Sequence, residues 1–143
     1  AVPIASNWER NDTSFSVLGS GMTESSGVFT FPSTGIYYLS FQNQIETNHT
    51  ANPANTQGCY AYIQATTDGS NFVTVGYQRQ GIHNFGTSYA SGGAQTVTVI
   101  FDVTNVSTHK VHFVWGAGQG VERCIGSTSQ QLTGVTFMKL GDT

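Results

Sequence analysis

The side chains with the means to do chemistry are few and scattered. Histidine occurs at 49, 83, 109 and 112, and serine is abundant. A nucleophile needs a base and an orienting acid beside it. The chain has no Gly-x-Ser-x-Gly elbow, so a triad would have to assemble by chance from separate loops. Glycoside cleavage needs two facing carboxylates. Of the eight acids, Glu24, Glu46, Asp68 and Glu122 fall in or beside expected turns, where an acid is usually just solvated. His109 and His112 stand three apart on an expected strand and so point to opposite faces. Cys59 and Cys124 lack any C-x-x-C context and cannot hold a tetrahedral zinc alone. They either form one disulfide or remain two thiols. Gly116-Ala117-Gly118-Gln119-Gly120 has the glycines of a phosphate loop, but no helix follows it, and it reads as a plain loop. These residues point away from catalysis, with no catalytic residue and no metal ligand assigned.

The composition narrows the partners. Of 143 residues only 9% are charged, against about 25% in ordinary soluble domains, and 38% are hydrophobic. Ser, Thr, Gly, Asn and Gln fill the remainder, a surface of hydroxyls and amides that suits extracellular adhesive or structural modules. The net charge is −3 with five cations in all, too few for a basic stripe that follows a phosphate backbone. No apolar run approaches the ~20 residues that span a membrane. The chain opens on Ala1 with no leader pattern, which suggests a processed product or the C-terminal part of a longer protein. Asn11, Asn48 and Asn105 each open an Asn-x-Ser/Thr sequon, which bears on the source rather than the mechanism.

The elements that must position these residues are strands. Every stretch of helical length is broken by Gly, Pro or β-branched clusters, and alternating patterns recur at short intervals. Strands are expected at 14–18, 28–31, 35–46, 59–65, 72–78, 95–103, 109–115 and 132–140, with shorter ones at 82–89 and 121–125, about ten in one domain spanning 1–143. Thr66 to Ser70 reads as a hairpin turn in which Asp68-Gly69 supplies the positive φ angles. No charge lies between Glu24 and Glu46, so Gly27 to Phe41 reads as scaffold: Pro32 starts a turn, Gly35 leaves it, and Tyr37, Leu39 and Phe41 share a face. In the 59–65 strand Cys59, Ala61, Ile63 and Ala65 face a core, which turns Tyr60 and Tyr62 outward as a pair fit for an interface. The long loops at 46–58, 78–93 and 116–131 are the natural recognition segments. Arg79, His83, Phe85, Tyr89 and Arg123 are their candidate ligand-binding residues, since aromatic and Arg side chains among amides suit glycans or protein surfaces.

Phe29, five residues, then Gly35-x-Tyr37-x-Leu39-x-Phe41 resembles the signature of the globular head of complement component 1q and its tumour-necrosis-factor relatives. Ser129 to Val135, with Gly134, is similar to that family's closing strand. Leu39 stands where the family prefers Phe, Met22 stands at an aromatic position, and Val17 stands where Asn or Asp is expected. The resemblance implies an all-β antiparallel jelly roll of about ten strands, assembled as a homotrimer. In related trimers aromatic side chains line the threefold axis, which here implies Tyr60 and Tyr62, then His112 and Phe137. Relatives can hold calcium near the apex, and no ligand for it maps onto this chain. Trp8-x-Arg10-x-Asp12, the lysine-poor surface and the ending from Phe137 to Thr143 also look like the terminal domains of bacteriophage tail fibres and other virion appendages. The expectation is a non-enzymatic trimeric head at an extracellular or virion surface, binding a cell-surface receptor or glycan, with no nucleic acid and no membrane insertion. The alternatives are a secreted complement-like recognition head and a purely structural trimerisation or decoration domain.

Overall fold

The computed structural model describes residues 1–10, 17–47, 57–82, 91–117 and 122–143. Within them every regular element is a β-strand: β1 (Val2–Pro3), β2 (Thr23–Ser25), β3 (Val28–Thr30), β4 (Gly35–Thr47), β5 (Gln57–Thr66), β6 (Val73–Ile82), β7 (Ser91–Val103), β8 (Lys110–Ala117), β9 (Glu122–Cys124) and β10 (Gly134–Gly141). All pairings are antiparallel. The first sheet runs β2-β3-β8-β5-β6, with β1 beside β8 beyond the end of β3; the second runs β10-β4-β7, with β9 beside β4 beyond the end of β10.

The two sheets share their main core because each strand presents alternate residues to it. From the second sheet come Tyr37, Leu39 and Phe41 of β4 with Val97 and Val103 of β7, while Ile45 packs in a smaller cluster with Cys59 and Ile82. From the first come Phe29, Ala61, Ile63, Ala65, Val111 and Phe113. Phe41 meets Phe113 across the sandwich at 5.2 Å between ring centroids, and Phe137 of β10 lies 5.3 Å from Phe29 and 5.8 Å from Phe113. Trp8 closes one edge: its indole N–H donates to the Ile4 carbonyl at 2.8 Å while its ring stands edge-on to Phe29 and Phe113. The expected all-β class and the expected core strands are therefore observed. The strands at 95–103 and 72–78 are longer than expected, and β1 and β2 lack any periodic signal because they are only two and three residues long. The expected strand at 14–18 falls mostly outside the described residues; Val17 and Leu18 are exposed and not in a strand.

Two turns set the register. Gly35 enters β4 at φ +142°, and a Cβ there would run into the Lys139 side chain and lie 2.5 Å from the Gly141 carbonyl oxygen. The β5–β6 connection differs in detail from the turn expected at Thr66 to Ser70. Ala65 pairs with Val73, so the loop is longer, and only Gly69 takes a positive φ. Asp68 serves as an acceptor instead. Its carboxylate takes the backbone N–H groups of Asn71 and Ser70 at 2.8 Å each, the Asn71 amide at 2.7 Å and the Thr66 hydroxyl at 2.8 Å. These bonds, the Asn71 backbone N–H foremost, hold the carboxyl far below the usual carboxylate range.

Gly35→Ala is expected to destabilise the fold by more than about 1 kcal/mol, read as a lower denaturant midpoint with an unchanged slope. The Asp68 turn carries a depressed pKa, so its stabilisation is complete above the unfolded-state value of about 4 and fades as pH falls through that value towards the folded one. Thermal melts of the wild type and Asp68→Asn should differ most near pH 6–7 and converge as pH drops below about 4.

Candidate recognition surface

Alternation that fills the core also fixes what faces out. On β5 the outward positions carry Tyr60 and Tyr62, and their β6 partners in register are Arg79 and Tyr77. The three tyrosine rings gather into one shelf. Tyr62 and Tyr77 lie 4.9 Å apart between centroids, and Tyr60 lies 6.4 Å from each. The planes are close to parallel, at 16° for Tyr60–Tyr77, 24° for Tyr60–Tyr62 and 33° for Tyr62–Tyr77. The Arg79 guanidinium sits 5.6 Å from the Tyr60 centroid, within cation–π range. Gly58 makes room beneath: a Cβ there would lie 2.8 Å from the Tyr60 hydroxyl oxygen and 3.4 Å from Arg79 Nε. Burial, then the neighbouring Tyr77 and Tyr60 hydroxyls, push the Tyr62 phenol above its ordinary range.

His112 shares this face one row along. Its ring stacks on Phe72 at 4.1 Å and 6°, its Nε2–H donates to Gln64 Oε1 at 2.6 Å, and burial lowers its pKa, favouring the neutral ring. His109, in contrast, is buried on the core side beside Thr104 and Thr108, so the two histidines do point to opposite faces. Phe137 is not on this surface: its ring belongs to the core, inward on β10. Arg123 pairs with Glu46, its Nε 2.7 Å from the carboxylate, at the far end of β4. The recognition residues His83, Phe85 and Tyr89 lie outside the described residues, as does His49. Gly134 opens β10 opposite Gln42, where the Gln131 side chain covers it.

The sequence reading missed two participants. Tyr77 is half exposed and completes the shelf; only pairing β6 to β5 in register reveals it. The second is the outer face of the second sheet. There Ile100, Tyr38 and Met138 form one cross-strand row, with Leu140 at the neighbouring bulge. Ile100 is 69%, Met138 54% and Leu140 53% exposed, which leaves a row of apolar side chains open on this face.

The cysteines are not joined. Cys59 is buried on β5 against Ile45, Ile82 and Trp115, whereas the Cys124 thiol on β9 donates to Asn43 Oδ1 at 3.0 Å and lies 3.3 Å from Thr133 Oγ1. Burial pushes the Cys124 thiol up, away from the thiolate that nucleophilic work needs. Alkylation with iodoacetamide after denaturation, without reductant, should therefore add two groups per chain by mass spectrometry. A mass with none added would show a disulfide.

Compared with protein-family models and with curated proteins, the chain matches none.

Proposed function

We propose that the chain is a non-enzymatic, homotrimeric jelly-roll head, carried at an extracellular surface or at the tip of a virion fibre, that attaches to a cell-surface receptor or glycan. The observation that carries the reading is the division of labour between the two outer faces. The aliphatic row Ile100–Tyr38–Met138 with Leu140 is the kind of surface that a second copy covers, while the tyrosine shelf is polar, charged at Arg79 and suited to remain accessible. The chain also passes back and forth between the sheets, with β3 in the first, β4 in the second, β5 and β6 in the first, β7 in the second, β8 in the first and β10 in the second, as a jelly roll requires. This reading moves the threefold axis from Tyr60 and Tyr62 to the second sheet, because residues on opposite faces of one sandwich cannot line a single axis. Closed symmetry then presents three shelves at once, and weak single sites combine by avidity. Low charge and a hydroxyl- and amide-rich surface fit an exposed appendage, and the resemblances at both chain ends support the virion setting.

Light scattering should return three times the 15.3 kDa chain mass for the wild type. Met138→Lys or Ile100→Glu should return a single chain mass with the circular dichroism of the parent, since an unpaired charge buried at each contact costs roughly 3 kcal/mol or more. A wild type that stays at one chain mass at every concentration overturns the trimer.

A further inference from the structure

We infer that the Tyr60–Tyr62–Tyr77 shelf with Arg79 binds a carboxylate-bearing sugar, the rings stacking on the sugar's C–H face and the guanidinium taking its carboxylate. The inference rests on the reading of the chain as a recognition head and names the ligand class of that head.

The shape comes first. Three rings with nearly parallel planes, stacked beside one another across two hydrogen-bonded strands, make an apolar cluster in which Tyr77 is half exposed. A pyranose has the matching character, with C–H groups on its face and hydroxyls at its rim, and Tyr supplies an apolar body with a polar tip at little entropic cost. Gly58 is part of the build: with no side chain at that position the hydroxyl end of Tyr60 and the Arg79 stem come down onto the strand.

The charge comes second. Of the five cations, Arg123 pairs with Glu46, Lys139 pairs with Asp142, Arg10 donates to the Met22 carbonyl, and Lys110 opens β8 between Thr66 and Thr30, away from the register positions of the shelf. Arg79 has no carboxylate partner among the described residues and sits exposed at the edge of the shelf. The sequences of β5, β6 and β8 contain no Asp or Glu, so no acid on these three strands competes for it, although the chain as a whole is negative. A guanidinium in that position is free to form the two parallel N–H···O bonds that a carboxylate accepts. A nucleic acid would also stack on such rings, but it needs a track of cations for successive phosphates, and the shelf offers one. A further copy of the chain would seal an unpaired Arg79 away from water, which the aliphatic face of the second sheet does not require.

The test is calorimetry and saturation-transfer NMR on the full chain, using 3′-sialyllactose and trigalacturonate as acidic probes, maltotriose as the neutral one and oligo-dT as the nucleic-acid control. At least one acidic probe should bind saturably and about tenfold tighter than maltotriose. Arg79→Gln should erase that tenfold preference, and Tyr77→Ala and Gly58→Ala should each weaken the acidic probe at least tenfold while the light-scattering mass and the melting transition stay those of the parent. The preferred acidic probe separates a sialyl from a uronyl ligand. Absence of saturable binding by both acidic probes overturns the inference, as does binding that Tyr77→Ala leaves unchanged, oligo-dT binding that matches the sugars, or dissociation of the assembly by Tyr77→Ala. A wild-type trimer that binds no sugar sinks this inference alone, and a monomer that binds it sinks only the trimer.

Discussion

The structure depends on the contact of two inward faces across one core, and the ring of Phe41 against the ring of Phe113 is its centre. β4 makes this possible. It is thirteen residues long, is paired with β7 along its whole length, and is met on its other edge first by β10 and then by β9. A strand held on both edges cannot slip by one residue without turning its whole apolar set to solvent. Tyr37, Leu39 and Phe41 are therefore locked inward, and emptying a site such as Leu39 down to Ala would cost about 2–5 kcal/mol.

The same alternation that fills the core makes the outer faces unavoidable. Each inward residue has an outward neighbour, and the chemistry of those neighbours differs between the sheets. The second sheet turns out the row of Ile100, Tyr38 and Met138 among Ser, Thr and Gln, and the first turns out tyrosines, a guanidinium, an imidazole and amides, with Val73 and Val75 exposed at the start of β6. This asymmetry, more than any single residue, separates a surface suited to a copy of the chain from one suited to a hydrated ligand. Hydrogen bonds at the rim support the separation: Gln64 links His112 to Thr74, fixing the row next to the shelf.

Towards the Ile45 end of β4 the core changes character. Asn43 and Gln95 face each other in the β4–β7 ladder and are fully or nearly fully buried. Gln95 donates to the Cys59 carbonyl at 2.9 Å and Asn43 accepts from the Cys124 thiol, while Asn43 Nδ2 and Gln95 Oε1 have no hydrogen-bond partner among the described residues. Each unpaired buried atom costs about 1–3 kcal/mol, so this end is less stable than the aromatic centre. It is also where β9 adds to the sheet and where Arg123 is tied to Glu46.

The amino-acid sequence alone determined the class of fold, the core strands and the inward set, because period-two alternation of Tyr37, Leu39, Phe41 and of Ala61, Ile63 is written locally. It also determined that Tyr60 and Tyr62 face out together, and that His109 and His112 part company. It did not determine which strand lies beside which. Pairing joins residues far apart in the chain, and only that pairing brought Tyr77 and Arg79 to Tyr60 and Tyr62, set Ile100 beside Tyr38 and Met138, and sent Phe137 into the core. It kept Cys124 with Asn43 and away from a bond with Cys59. Faces are a local property of a strand, whereas sites are made between strands, and long-range register decides them.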